Sequence, residues 1–215
     1  MIKRYSIIFV VGSLILCPLS LSAKLTLLTK KLKNNDTVRV VKLDAKDKAI
    51  FAEAKEVFLR SFADAYKVYS PEQLFLTDKP DYLTSFLQAA FEDEENDFNN
   101  QKEDALFVVA FDSKNHVVGF VAFDKHSKNG ETKVYIRQLA IDPAYQNKGL
   151  GRLLCIDTLQ EIIEHKPAKI VVCTRKINEP AIQFYHKLSF NDATMDEVHP
   201  ELPAHKYRGF MLTMN

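Results

Sequence analysis

Gly149 and Gly151 stand one residue apart in a chain of 215 residues that holds six glycines in all. Residues 135–141, Tyr-Ile-Arg-Gln-Leu-Ala-Ile, are apolar and β-branched enough to form a strand. Asp142-Pro143 stops that strand, because proline donates nothing to a ladder and restricts the residue before it. An amphipathic helix follows Gly151. The chemistry such a strand, turn and helix can do is to hold an anion. A helix start presents unpaired N–H groups and a partial positive charge, and missing side chains let a phosphate approach the backbone. The three-glycine dinucleotide fingerprint and the Gly-Lys-Ser/Thr phosphate loop are both absent.

The wider pattern is more specific. Gln146-x-x-Gly149-x-Gly151 after Leu139-Ala140-Ile141-Asp142-Pro143 resembles motif A of the GNAT acetyltransferase superfamily, Gln/Arg-x-x-Gly-x-Gly/Ala. A second segment, residues 178–190, is similar to the superfamily pattern Asn-x-x-Ala-x-x-Phe/Leu-Tyr-x-Lys-x-Gly-Phe. Asn178, Ala181, Phe184, Tyr185, Lys187 and Phe190 match it, and Ser189 replaces the glycine. The resemblance covers about residues 36–215.

The resemblance implies an acetyl-CoA-dependent N-acetyltransferase in which an amine attacks the thioester directly. Pantetheine would pair with backbone groups of Leu139, Ala140 and Ile141, where the motif A strand is bulged and splays from the next parallel strand. The pyrophosphate would meet Gln146, Asn147, Lys148, Gly149, Leu150, Gly151 and Arg152, with Lys148 and Arg152 adding charge. Asn178 and Tyr185 complete the coenzyme site. A backbone N–H near Leu139 would stabilise the oxyanion, and Tyr185 would serve as the acid for the departing thiolate. The acceptor is an amine of a small molecule or a protein. Many superfamily members place a glutamate on the motif A strand to deprotonate it, but residues 135–141 contain no acid, so the base is unassigned. A water chain or another loop would supply it; His126, His199 and His205 read as surface histidines. The missing acid favours a second reading, a catalytically silent module that binds an acyl-CoA or a protein.

Composition sets the limits. Apolar residues make up 47% of the chain, enough to build a core, and the net charge of +1 gives no general affinity for nucleic acid or anionic membranes. Cys17, Cys155 and Cys173 lack metal-ligand spacing, so no metal is expected, and Cys155 and Cys173 read as small apolar residues. Nothing in the sequence sets the oligomeric state.

These residues need a scaffold to position them. The pattern predicts a mixed α/β (α+β) fold: a mostly antiparallel central sheet of six to seven strands flanked by helices, with the motif A strand and the next strand parallel and splayed. Strands are expected at 37–43, 105–111, 116–123, 132–141, 169–174 and 207–214. Helices are expected at 46–67, 81–97, 150–165 and from Asn178 onward. Residues 92–97, Glu-Asp-Glu-Glu-Asn-Asp, read as a solvated acidic helix end or loop, or else as a lure for a basic or amine substrate, and 191–205 as a loop. Residues 1–23 have a basic start, an apolar run and small residues near Ser22 and Ala23, the pattern of a signal peptide or an N-terminal anchor. The protein is thus expected to be exported, periplasmic or secreted, or else membrane-anchored if the segment stays uncleaved. Residues 24–35 read as a lead-in linker, and 36–215 as the acetyltransferase domain.

Overall fold

The computed structural model describes residues 26–74, 81–128, 131–162 and 167–214, so the leader expected over 1–23 lies outside the described residues. In chain order the elements are β1 (Thr26–Lys31), β2 (Thr37–Lys42), α1 (Lys48–Tyr66), α2 (Tyr82–Asn99), β3 (Ala105–Phe111), β4 (Val117–Lys128) and β5 (Glu131–Ile141). Then come α3 (Leu150–Arg152), α4 (Thr158–Ile162), β6 (Lys169–Arg175), α5 (Glu179–Lys187), β7 (Asn191–Ala193), α6 (Met195–Val198) and β8 (Tyr207–Thr213). The strands form one sheet in the order β1-β2-β3-β4-β5-β6-β8-β7, and every neighbouring pair is antiparallel except β5 with β6.

Strand alternation sends successive side chains to opposite faces, and each face meets its own helices. Val108, Ala110, Val121, Phe123, Val134 and Ile136 face the layer made by α3, α4 and α5, where Leu150, Leu153, Leu154, Leu159 and Ile182 are buried. Phe107, Val109, Phe111, Phe120 and Ala122 face α1 and α2. On that side aromatic rings do much of the packing: Phe51 stacks on Phe98 at 4.1 Å and tilts against Phe91 at 5.3 Å. Of the apolar stripe that the spacing of α1 predicts, Ile50, Phe51, Ala54, Val57 and Phe58 are buried and Phe62 is half-buried. In α2 the buried positions are Leu87, Phe91, Glu94 and Phe98, a three-and-four spacing that puts one glutamate inside.

Three expectations are corrected. Among the described residues the sheet has eight strands, not six or seven, because two lie outside the expected ones. Thr26–Lys31, within the expected linker 24–35, pairs with β2, and Asn191–Ala193, within the expected loop 191–205, pairs with β8. Both are short edge strands whose place depends on a partner more than on their own residues. The helix expected over 150–165 is broken in its middle: Leu153–Asp157 is π-helical, and the Thr158 hydroxyl donates to the Leu153 carbonyl at 2.8 Å.

Candidate active site

The sheet opens in the middle. β5 and β6 run in parallel register from Lys133–Lys169 to Ile136–Val172 and pair no further. The cause is visible on the other edge of β5. There Ala122 pairs with Gln138 and Phe123 with Ile136, so Arg137 is an extra residue, a bulge that bends the strand. Beyond it, the Asp142 N–H donates to the Val118 carbonyl at 3.0 Å. By alternation the backbone groups of Ala140 and Gln138 then also point to β4, whereas those of Leu139 and Ile141 point into the gap beside β6. Leu139 and Ile141 therefore present the open edge. Ala140, expected with them, is fully buried and turns its backbone to β4.

At the end of β5 the chain makes a short turn. The Asp142 carboxylate accepts from the Ala144 N–H at 3.0 Å, and the Gln146 amide reaches back to the Ile141 carbonyl at 3.2 Å. Asn147 and Gly149 both adopt left-handed backbone, φ 59° and 94°. Gly149 is the cap of α3, and nothing stands within 4 Å of where its β-carbon would be. The Leu153 N–H bonds the Gly149 carbonyl, so the N–H groups of Gly149, Leu150, Gly151 and Arg152 precede the first intrahelical donor. Gly151 serves a different end: a β-carbon there would meet the Phe184 ring at 2.9 Å, so the glycine lets α3 and α5 approach. Lys148 and Arg152, expected to add charge, have protein partners. Lys148 Nζ lies 3.5 Å from Asp36 and 4.8 Å from the centre of the Tyr145 ring, and Arg152 Nε lies 3.5 Å from Asp157. The Leu150 side chain is fully buried, leaving its backbone for the turn.

Asn178 caps α5, its side chain accepting from the Ala181 N–H at 3.3 Å. Tyr185 follows two turns on. Burial pushes its phenol well above the ordinary range, which keeps the hydroxyl protonated. Ser189 takes left-handed backbone, φ 67°, at the position where the superfamily pattern has glycine.

A cavity of about 820 Å³ joins these parts. Its lining includes Leu139, Ile141, Gln146, Asn147, Gly151, Asn178, Phe184 and Tyr185. It also includes Phe58, Phe62, Tyr66 and Phe86 from α1 and α2, and Glu94, Asp97, Tyr135, Arg137, Cys173 and His199. Arg137 is the hub of a buried charge cluster. Its guanidinium meets Glu94 Oε2 at 2.8 Å, Asp124 Oδ1 at 3.5 Å and the Asp97 carboxylate. Burial pushes the Glu94 carboxyl up to about 7, against the pull of Arg137. His199, expected on the surface, is half-buried against the Tyr135 ring at 5.2 Å. Cys173 receives a 3.3 Å contact from the Tyr135 hydroxyl, and burial raises the thiols of both Cys173 and Cys155, so neither is poised as a nucleophile. Among the described residues no group of His, Cys, Asp and Glu could hold a metal ion.

An open parallel pair beside a glycine-capped helix start is the architecture that the two sequence motifs foretell. The sequence matches the Acetyltransferase (GNAT) family over residues 68–190, more than half of the chain. The chain belongs to the GNAT acetyltransferase family. Solved GNAT proteins share its fold at low identity. The PaiA N-acetyltransferase of Thermoplasma acidophilum in complex with coenzyme A aligns with a TM-score of 0.60 at 18% identity, covering 82% of this chain and 99% of that one. The GNAT domain of S. lividans PAT aligns with a TM-score of 0.57 at 11% identity, covering 87% and 96%. In sequence, a [ribosomal protein bS18]-alanine N-acetyltransferase of Escherichia coli is 39% identical over 57 residues, 26% of this chain and 38% of that relative. The alignment thus spans well under half of the relative's length.

Sequence reasoning missed two features of this GNAT site. Glu94 lies in the acidic run expected as a solvated helix end or an amine lure, yet it stands three residues after Phe91 and four before Phe98, on the apolar stripe. That spacing was the available signal. His199 follows a four-residue helix, which the sequence shows only through its capping pair, Thr194 and Glu197.

Proposed function

We propose that this chain is an acetyl-CoA-dependent N-acetyltransferase. The observation that carries the reading is the parting of β5 from β6 after Ile136 and Val172, which leaves the edge of Leu139 and Ile141 open above a glycine-capped helix start. The parts fit the co-substrate. Leu139 and Ile141 offer strand-like backbone groups to pantetheine amides, and the orphan N–H groups of 149–152 suit a pyrophosphate. Open space at Gly149 lets that group approach. The co-substrate supplies an activated acetyl group as a thioester, and everything else is done by the chain.

A backbone N–H beside the bulge steadies the negative charge that develops on the thioester oxygen. The Tyr185 hydroxyl, held protonated by burial, donates to the departing sulfur. The acceptor amine enters from the side of α1 and α2, between the rings of Phe58, Phe62, Tyr66 and Phe86. The partial likeness to an alanine N-acetyltransferase makes a peptide beginning with alanine one acceptor worth testing. The competing reading, a silent module, draws on the absence of an acid between residues 135 and 141. Thiol release from acetyl-CoA across a panel of small amines and alanine-first peptides separates the two. Release with at least one amine supports the enzyme; binding without release by any supports the module. We also read residues 1–23 as an export leader or anchor, a reading tested by the mass of the N-terminal peptide from native cells.

A further inference from the structure

We propose that Glu94, on α2, is the group that takes the proton from the acceptor's ammonium, in place of an acid on β5. The proposal rests on the N-acetyltransferase reading above and names the base that reading lacks.

Three observations converge on Glu94. It lines the cavity together with Ile136, Leu139 and Tyr185, so it shares the chamber into which the parted strands open. Glu94 is 3% exposed, and among the described residues its Oε2 has no hydrogen-bond partner of good geometry despite lying near Arg137. A buried carboxylate oxygen left in that condition is costly unless a ligand completes it. Finally, it is the least compensated acid of its cluster. Asp97 and Asp124 each lie near two cations: Arg137 for both, and Lys102 Nζ at 3.1 Å and 3.7 Å. Among the described residues Glu94 has only its share of Arg137.

The surroundings explain how a carboxyl here could accept a proton near neutral pH. From its own helix, Asp97 repels its charge. From β4, Asp124 does the same. From β5, Arg137 and the Gln138 amide favour the ionised form. From β3, the Phe107 ring lies 5.4 Å from the guanidinium and excludes water. From α1, Phe58, Ser61 and Phe62 bring no charge into the cavity, and Lys55 is turned away to Glu95 at 2.8 Å. Burial wins over the single cation, and the carboxyl is pushed up to about 7. An arriving ammonium is drawn by the surplus of carboxylates over cations.

The protons balance. The Glu94 carboxylate takes one proton from the ammonium. The freed nitrogen lone pair forms the N–C bond to the thioester carbonyl, and the C–S bond breaks. The sulfur takes a proton from the Tyr185 hydroxyl, and the new amide nitrogen returns its second proton to Tyr185. Glu94 then releases its proton to solvent, so the products are an amide, a thiol and one proton.

The test follows thiol release from acetyl-CoA between pH 5.5 and 9 with benzylamine, which is protonated at neutral pH, and with hydroxylamine, which is not. In the wild type the benzylamine rate should rise through one ionisation near about 7. Glu94→Gln should lower that rate about 10²-fold or more and erase the ionisation, while acetyl-CoA affinity and the hydroxylamine rate stay within a few-fold. Glu94→Asp should keep the ionisation at a reduced rate, which a purely structural role would not require. An unchanged benzylamine profile in Glu94→Gln, equal losses with both amines, or a loss of the ionisation in His199→Asn instead would overturn the assignment. Wild-type protein that binds acetyl-CoA but releases thiol with neither amine overturns it as well. Protein that does not bind acetyl-CoA at all refutes the underlying transferase reading, a distinguishable result.

Discussion

The ring of Phe184 lies 2.9 Å from the point where a β-carbon on Gly151 would stand. The two sequence motifs therefore touch: the second glycine of the first motif is the floor on which an aromatic of the second rests. This separates the two glycines by role. Gly149 is needed for its left-handed backbone, and Gly151 for the closeness of α3 and α5. Gly151→Val should accordingly cost stability, about 1–3 kcal/mol by overpacking. Adding Phe184→Leu should recover part of the loss, as read from urea midpoints. A Gly151→Val protein as stable as its parent would show that the ring moves aside freely.

Ser189 occupies left-handed backbone at the exit of α5, where its N–H donates to the His186 carbonyl at 2.9 Å and the Phe190 N–H donates to the Tyr185 carbonyl at 3.1 Å. A side chain is strained there, and glycine is not. Ser189→Gly should raise stability by about 0.5–1 kcal/mol, less what the freer unfolded chain gives back. A lower melting temperature would mean that the serine side chain contributes more than its backbone costs.

Much of this could be read from the chain. Asp142-Pro143 fixes the end of β5, the two glycines fix the start of the next helix, and Asn178 with Pro180 fixes the start of α5. What could not be read depends on contacts across the fold. Thr26–Lys31, sequence Thr-Leu-Leu-Thr-Lys-Lys, becomes a strand because β2 offers an edge. The role of Arg137 comes from a bulge, which no local propensity announces. Residue by residue, the open edge also narrows to Leu139 and Ile141, because only the hydrogen-bond phase against β4 tells Ala140 from its neighbours.

Tyr185 packs among Phe184, Phe190 and Phe210. Tyr185→Phe should thus leave stability and acetyl-CoA affinity nearly unchanged and lower turnover roughly 10²-fold. The deficit should shrink with an acyl donor whose thiol is more acidic. Turnover at the parent rate, with chemistry limiting, would reduce Tyr185 to a packing residue.

Glu94 also predicts a stability profile. Its carboxyl is raised in the folded state to about 7 from the ordinary 4.5, so the native state binds a proton that the unfolded chain has released. Stability then falls as pH rises between those values and is flat, for this group, on either side. The stability of the wild type relative to Glu94→Gln should drop across that window by roughly 3 kcal/mol at most. Urea titrations at pH 4.5, 6 and 8 measure it. A relative stability that rises with pH would mean that Arg137 outweighs burial.

The central claim is that the gap between β5 and β6 is an acetyl-CoA site, and calorimetric titration of acetyl-CoA into the wild type and Gly149→Val tests it most directly. A valine at φ 94° is strained, and its side chain enters the open space at the helix start. The account predicts one-to-one binding by the wild type and at least a tenfold weaker affinity in a Gly149→Val protein that circular dichroism shows to be folded. Equal affinities in the two proteins, or no heat of binding in the wild type, would contradict it.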